Sequence, residues 1–165
     1  MNKVEKEHFS AVYIFKSFLV LGKKIWYVLS VKDKRFNDLK AAGGMSNSGE
    51  DPKATAIREG MQELGVMITD MIFVHECFRV NHYQYYFLAT EVSNLPELDD
   101  ERKMSEIKGK KPGDSLHMRW VNLVEFSQCV YKGQFVAFKK ALLKKAELDQ
   151  VFAMDNIKLL RNLSV

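Results

Sequence analysis

Cysteine is scarce in this chain. Only Cys77 and Cys129 occur, and neither stands at a spacing that suits a metal. That excludes a disulfide framework and a cysteine-based zinc site, and leaves two idle thiols in a reducing compartment. Proline is equally sparse, at three residues, and no low-complexity segment or internal repeat is found. Long hydrophobic runs are missing too. The most apolar stretch, residues 11–30, is interrupted by Lys16, Lys23 and Lys24, so no membrane-spanning segment is expected. The opening MNKVEKEHFS is charged and leads into no secretory apolar core, which makes the cytoplasm the default location. Charge of one sign is nearly balanced by the other: 25 Lys and Arg against 21 Asp and Glu give a net charge of +4. This mild excess suits anionic small molecules such as nucleotides or phosphorylated sugars. It is too weak and too evenly spread to mark a nucleic-acid binder.

What is present is an ordinary globular balance, with 47% apolar and 28% charged residues over 165 positions. That is enough to bury a core, and the simplest reading is one domain spanning residues 1–165. Residues 11–21 and 25–31 are rich in β-branched and aromatic side chains and read as a hairpin turning at Gly22, Lys23 and Lys24. Residues 32–44 read as a polar connection ending in the paired glycines Gly43 and Gly44. Strands are expected at 71–80, 83–92 and 116–123, a short helix or turn after 123, and an amphipathic helix at 134–152 with Phe135, Phe138, Leu142 and Leu143 inward. Residues 93–114 read as a long exposed acidic loop, with a short helix near 100–107. The tail adds a last short helix. Periodicity alone supports a mixed α and β protein.

The stretch GMSNSGEDPKATAIREGMQELGV, residues 44–66, is the most specific feature. A glycine turn precedes a helix expected from Pro52 to Leu64, with Asp51 as N-cap, Pro52 in the first turn and Gly65 as the stop. Ala54, Ile57, Met61 and Leu64 recur at helical spacing and are expected to pack on a sheet. Glu59, Gln62 and Glu63 share another stripe of the helix. Two carboxylates and an amide oxygen on one stripe suit a hard divalent cation such as Mg²⁺.

This stretch resembles the Nudix box, whose pattern is G-x5-E-x7-R-E-U-x-E-E-x-G-U with U apolar. Gly44, Glu50, Arg58, Glu59, Glu63, Gly65 and Val66 match at the right spacings. Gly60 replaces an apolar residue, and Gln62 stands where the family usually has a metal-binding glutamate. Ala42 precedes the glycine pair where a proline is common.

The resemblance implies a Nudix-like α/β/α sandwich with a mixed central sheet. It implies Mg²⁺- or Mn²⁺-dependent hydrolysis of a nucleoside diphosphate linked to another moiety. Glu63 would be a metal ligand, and Glu59 a second ligand or the base that orients water. Gln62 and the Gly44 carbonyl would complete the ligand candidates. Arg58 would hold the carboxylates by charge-assisted bonds, and Glu50 would close the loop onto the helix. Gln62 brings no negative charge. Glu101 or Glu106 of the acidic loop is the candidate to compensate; the alternative is a weakened module that binds a nucleotide without turnover. A homodimer stays open by the same resemblance. Phe78, Tyr83, Tyr85, Tyr86 and Trp120 are candidates for stacking on a base, although most aromatic residues at strand spacing are core. His75, His82 and His117 lack metal-ligand spacing.

Overall fold

The computed structural model describes residues 7–33, 38–79, 81–99, 102–103 and 116–163. Its first element, β1 (His8–Tyr13), is followed after Ile14 by β2 (Phe15–Val20). The apolar run that reads as one strand is therefore two, and they belong to different sheets. Chain order continues with β3 (Lys23–Asp33), β4 (Leu39–Lys40), β5 (Ala42–Met45), α1 (Pro52–Leu64), β6 (Met67–Arg79) and β7 (His82–Ser93). It closes with β8 (Arg102–Lys103), β9 (Leu116–Asn122), α2 (Leu123–Cys129), a 3-10 turn at Lys132–Gln134, α3 (Phe135–Leu148), α4 (Gln150–Asp155) and α5 (Ile157–Leu163).

One sheet has the order β5-β1-β7-β6, with β1 and β7 parallel and the other pairs antiparallel. The second is antiparallel, ordered β2-β3-β9-β8, with β4 on β3. At their seam the Leu29 N–H donates to the Ile14 carbonyl at 3.0 Å. Side chains alternate across a strand. Ala11 and Tyr13 thus enter one core with Phe138, Leu142 and Phe152, while Val12 and Ile14 enter another with Ala56 and Leu64. Helices cover both faces, α1 on one and α3 on the other. The α/β sandwich with a mixed sheet is what the resemblance implied. Among the described residues, no helix is long and apolar enough to cross a membrane.

Several expectations are corrected. The hairpin turns at Leu21 and Gly22, both with positive φ, rather than through the lysines, which begin β3. The connection at 32–44 contains β4 and the start of β5, and Gly43 and Gly44 pair with Ala11 and Ser10 as strand residues. Residues 102–103 form a short strand against Met118 and His117 rather than helix. The helix expected over 134–152 breaks at Asp149, whose carboxylate accepts from the Phe152 N–H at 3.0 Å and caps α4. In α3, Ala137, Phe138, Ala141 and Leu142 are buried, whereas Leu143 is exposed.

The helix α1 begins and ends as its sequence dictates. Asp51 Oδ1 accepts from the Ala54 N–H at 2.8 Å, and Gly65 adopts φ 68° while its N–H donates to the Met61 carbonyl. Its buried face differs from the expected one. Thr55, Ala56, Glu59, Gly60, Glu63 and Leu64 are buried, while Ala54 is exposed and Ile57 and Met61 remain 41% and 40% exposed. Ala56 and Gly60 explain the rotation. A Cβ at Gly60 would lie 2.7 Å from Ile68 Cδ1, so a larger residue there would require the end of the Ile68 side chain to move. This approach turns the small residues inward and carries Glu59 and Glu63 with them.

Candidate active site

Arg58 organises the region. Its Nε and Nη2 donate to the two oxygens of Glu50, at 2.8 and 2.9 Å. Nη1 donates to Glu59 Oε1 at 2.8 Å and to Gln62 Oε1 at 3.0 Å. Nη2 also donates to the Met45 carbonyl at 2.8 Å. All five N–H groups of the guanidinium thus have an acceptor. The fork on Glu50 is charge-assisted at both prongs, which fixes the plane of the guanidinium.

Glu50 sits in a dense set of donors. Its Oε1 also accepts from the Asn47 N–H at 2.7 Å and from the Thr55 hydroxyl at 3.2 Å. The hydrogen bonds from Arg58, more than any other cause, hold its carboxyl down to about 2. The same bonds push Arg58 up, so the pair stays charged at any pH near neutrality.

The glycine pair of β5 meets the two buried glutamates of α1 in two different ways. The Gly43 N–H donates to Glu63 Oε2 at 2.9 Å. A Cβ at Gly44 would fall 2.3 Å from Glu59 Oε1, so only glycine leaves room for that carboxylate. The need is for closeness; neither glycine has the positive φ expected of a turn, which belongs to Gly49. Glu59 and Glu63 are 6% and 4% exposed. Ser10, paired in register with Gly44, buries a hydroxyl that has no hydrogen-bond partner among the described residues.

The structure therefore brings together Gly44, Glu50, Arg58, Glu59, Gln62 and Glu63. Glu101 and Glu106 lie outside the described residues, as do Asp100 and Asp114. Glu97 and Asp99 are exposed. Of the aromatic candidates, Tyr86 and Trp120 are core. Phe78 and Tyr83 are exposed, meet edge to face at 5.0 Å, and line a cleft of about 380 Å³ with Glu7, Met45, Asn81 and His82. Met45 belongs to both places, since its carbonyl takes an N–H of Arg58. Sequence reasoning missed His8 and Ser10, because no spacing in the chain ties them to the box, and it passed over Thr55, which lies inside the box at a position its pattern leaves open.

Among the described residues, no cluster of three or more His, Cys, Asp or Glu residues could hold a metal ion. The donor set is two buried carboxylates and an amide oxygen already engaged by Arg58. That does not make a closed cage. It does fit Mg²⁺, which takes one or two carboxylates and fills its remaining positions with water and substrate phosphates. The buried Ser10 hydroxyl, which has no partner among the described residues, is a polar atom that such water would satisfy.

An α/β sandwich whose box helix turns two buried glutamates onto a glycine pair defines the class. Comparison with known families gives the same answer: the NUDIX domain model matches residues 10–145, and the chain belongs to this family. Comparison with curated proteins finds no match. Solved structures are similar in fold. A MutT/nudix family protein from Listeria innocua is 13% identical with a TM-score of 0.61, over 85% of this chain and 94% of that one. MutT, from a study of Aliivibrio salmonicida and Vibrio cholerae, is 15% identical with a TM-score of 0.59, over 83% and 96%. A MutT protein from Bacillus halodurans is 16% identical with a TM-score of 0.57, over 81% and 80%.

Proposed function

We propose that this protein is a Mg²⁺- or Mn²⁺-dependent pyrophosphohydrolase acting on a nucleoside diphosphate linked to another moiety. The observation that carries this reading is the pair of buried glutamates, Glu59 and Glu63, each held in place by a separate device: Arg58 for one and the Gly43 N–H for the other. Arg58 engages Glu59 through Oε1, which leaves the other oxygen to a cation or to the attacking water. The Gly43 N–H fixes Glu63 through Oε2. When bound, the cation would offset charge on the phosphate oxygens and make water a better nucleophile. Glu50 stays ionised and keeps Arg58 in register. The cleft beyond Met45 offers Phe78 and Tyr83 to the nucleoside or to the linked group, and the net positive charge favours its phosphates.

Gln62 favours a second reading, in which the site binds a nucleotide with little or no turnover. Its oxygen accepts from Arg58 and adds no charge where the family usually has a glutamate. The two readings separate in one experiment. Purified protein is incubated with Mg²⁺ or Mn²⁺ and a panel of nucleoside triphosphates, dinucleoside polyphosphates, ADP-ribose and nucleotide sugars. Phosphate or pyrophosphate release that disappears in Glu63→Gln supports the hydrolase. Saturable nucleotide binding with no release across the panel sinks it in favour of the binding module.

A further inference from the structure

His8 precedes the segment matched by the family model, which begins at residue 10. It is nevertheless built into the hold on Arg58 from two sides. Its ring Nε2 lies 3.1 Å from the Thr55 hydroxyl, in a buried contact. That hydroxyl has one proton, and its neighbours are the Glu50 carboxylate and the Asp51 carbonyl, each at 3.2 Å. Both are acceptors only, because Glu50 is ionised. Thr55 gives its one proton to one of them or shares it between both, and a His8 tautomer protonated on Nε2 would let the hydroxyl accept from the ring as well. The second side is backbone. The His8 N–H donates to the Ser46 hydroxyl at 3.1 Å, and the Ser46 N–H donates to the His8 carbonyl at 2.7 Å. Ser46 follows Met45, whose carbonyl is the fifth acceptor of Arg58. The ring itself is fixed edge-on against Tyr85, with centroids 5.6 Å apart.

We propose that His8 is a positioning residue: its Nε2–H orients the Thr55 hydroxyl toward Glu50, and its backbone anchors Ser46, so that Arg58 presents Glu59 in one geometry. The inference rests on the hydrolase reading for its consequence in turnover, but the mechanical coupling of His8 to Arg58 is independent of it. A hydrogen bond to a carboxylate is directional, and Glu50 is the group that fixes the guanidinium plane. Loss of the ring donor would free Thr55 to rotate and remove one constraint from Glu50. A shift of about 1 Å in a positioned group is enough for about a hundredfold loss in rate, so a partial release is expected to cost about tenfold.

The test uses His8→Ala, His8→Gln, Thr55→Val and the double variant of His8→Ala with Thr55→Val. Exchange of the Arg58 Nε proton, followed by ¹⁵N NMR without metal or substrate, reads the coupling directly. It should accelerate about tenfold in His8→Ala and Thr55→Val, and by no more than that in the double variant, because both act through one chain of bonds. His8→Gln, whose amide also donates, should retain slower exchange than His8→Ala. In turnover, kcat should fall about tenfold with KM nearly constant. Unchanged Arg58 exchange in a folded His8→Ala protein overturns the proposal, as do additive effects in the double variant. Absence of turnover in the wild type, with the exchange pattern as expected, defeats the hydrolase reading and leaves the coupling standing.

Discussion

The ionisation of Glu50 should be visible in the stability of the whole chain. Its carboxyl is held near 2 against an ordinary value of 4.5, mainly by the hydrogen bonds from Arg58. Each tenfold change in proton affinity is worth about 1.4 kcal/mol, so this gap ties about 3 kcal/mol of folding free energy to the charged form. The Arg58 and Glu50 side chains are 21% and 17% exposed, well inside the limit where solvent would erase such a pair. The sign follows from the depressed value. The contribution is present nearly in full above about pH 4.5, shrinks as pH falls, and retains less than about 1 kcal/mol near pH 2.5. Asp149 and Asp155 are also lowered, so the wild-type curve alone mixes several groups. Glu50→Gln isolates the effect, because a protonated Glu50 and the amide that replaces it offer Arg58 similar acceptors. Urea unfolding of both proteins across this range should show a gap of about 3 kcal/mol near neutrality that narrows below about 1 kcal/mol near pH 2.5. Parallel curves for the two proteins would refute the argument that the hydrogen bonds from Arg58 hold Glu50 in its charged form.

Three other substitutions probe the packing that creates the site. Gly44→Ala places a methyl group against Glu59 and should lower kcat about a hundredfold while costing about 1–3 kcal/mol in urea unfolding. Gly60→Ala adds about 1 kcal/mol of helix propensity but meets the end of Ile68; it should stabilise the protein by less than that in the wild type and by more in an Ile68→Val background, as thermal unfolding would show. Leu21, 99% exposed at φ 50°, holds a left-handed turn position that suits asparagine better; Leu21→Asn should stabilise the protein by about 0.5–1 kcal/mol without changing turnover.

The box was legible because its residues report local rules. Asp51, Pro52 and Gly65 cap a helix in any context, and the spacing of Arg58, Glu59 and Glu63 follows from the helical repeat. The orientation of that helix was not legible. Periodicity of Ala54, Ile57, Met61 and Leu64 points to one apolar face, but the sheet selected the smaller residues Ala56 and Gly60 because close approach outweighs burying Ile57 and Met61. The glycine pair was misjudged for a related reason. Glycine is read locally as a turn, whereas Gly43 is needed for its close approach to β1 and Gly44 for its close approach to Glu59 of α1. The split at Ile14 depends on which partners β1 and β2 find at long range, which no local pattern records. His8 and Thr55 are 47 residues apart, and only the folded chain brings them together.

Glu59 and Glu63, with an uncharged Gln62 between them in the box, should form a weakened but working site for a hard cation, and everything proposed for the reaction depends on it. Titration with Mn²⁺, followed by calorimetry and by the electron paramagnetic resonance of the free ion, tests it without reference to any substrate. The expected result is saturable binding by the wild type, loss of that binding in Glu63→Gln, and tighter binding in Gln62→Glu, where an anionic ligand is restored. Binding that persists unchanged in Glu63→Gln, or a wild type that takes up no Mn²⁺ at all, would contradict it.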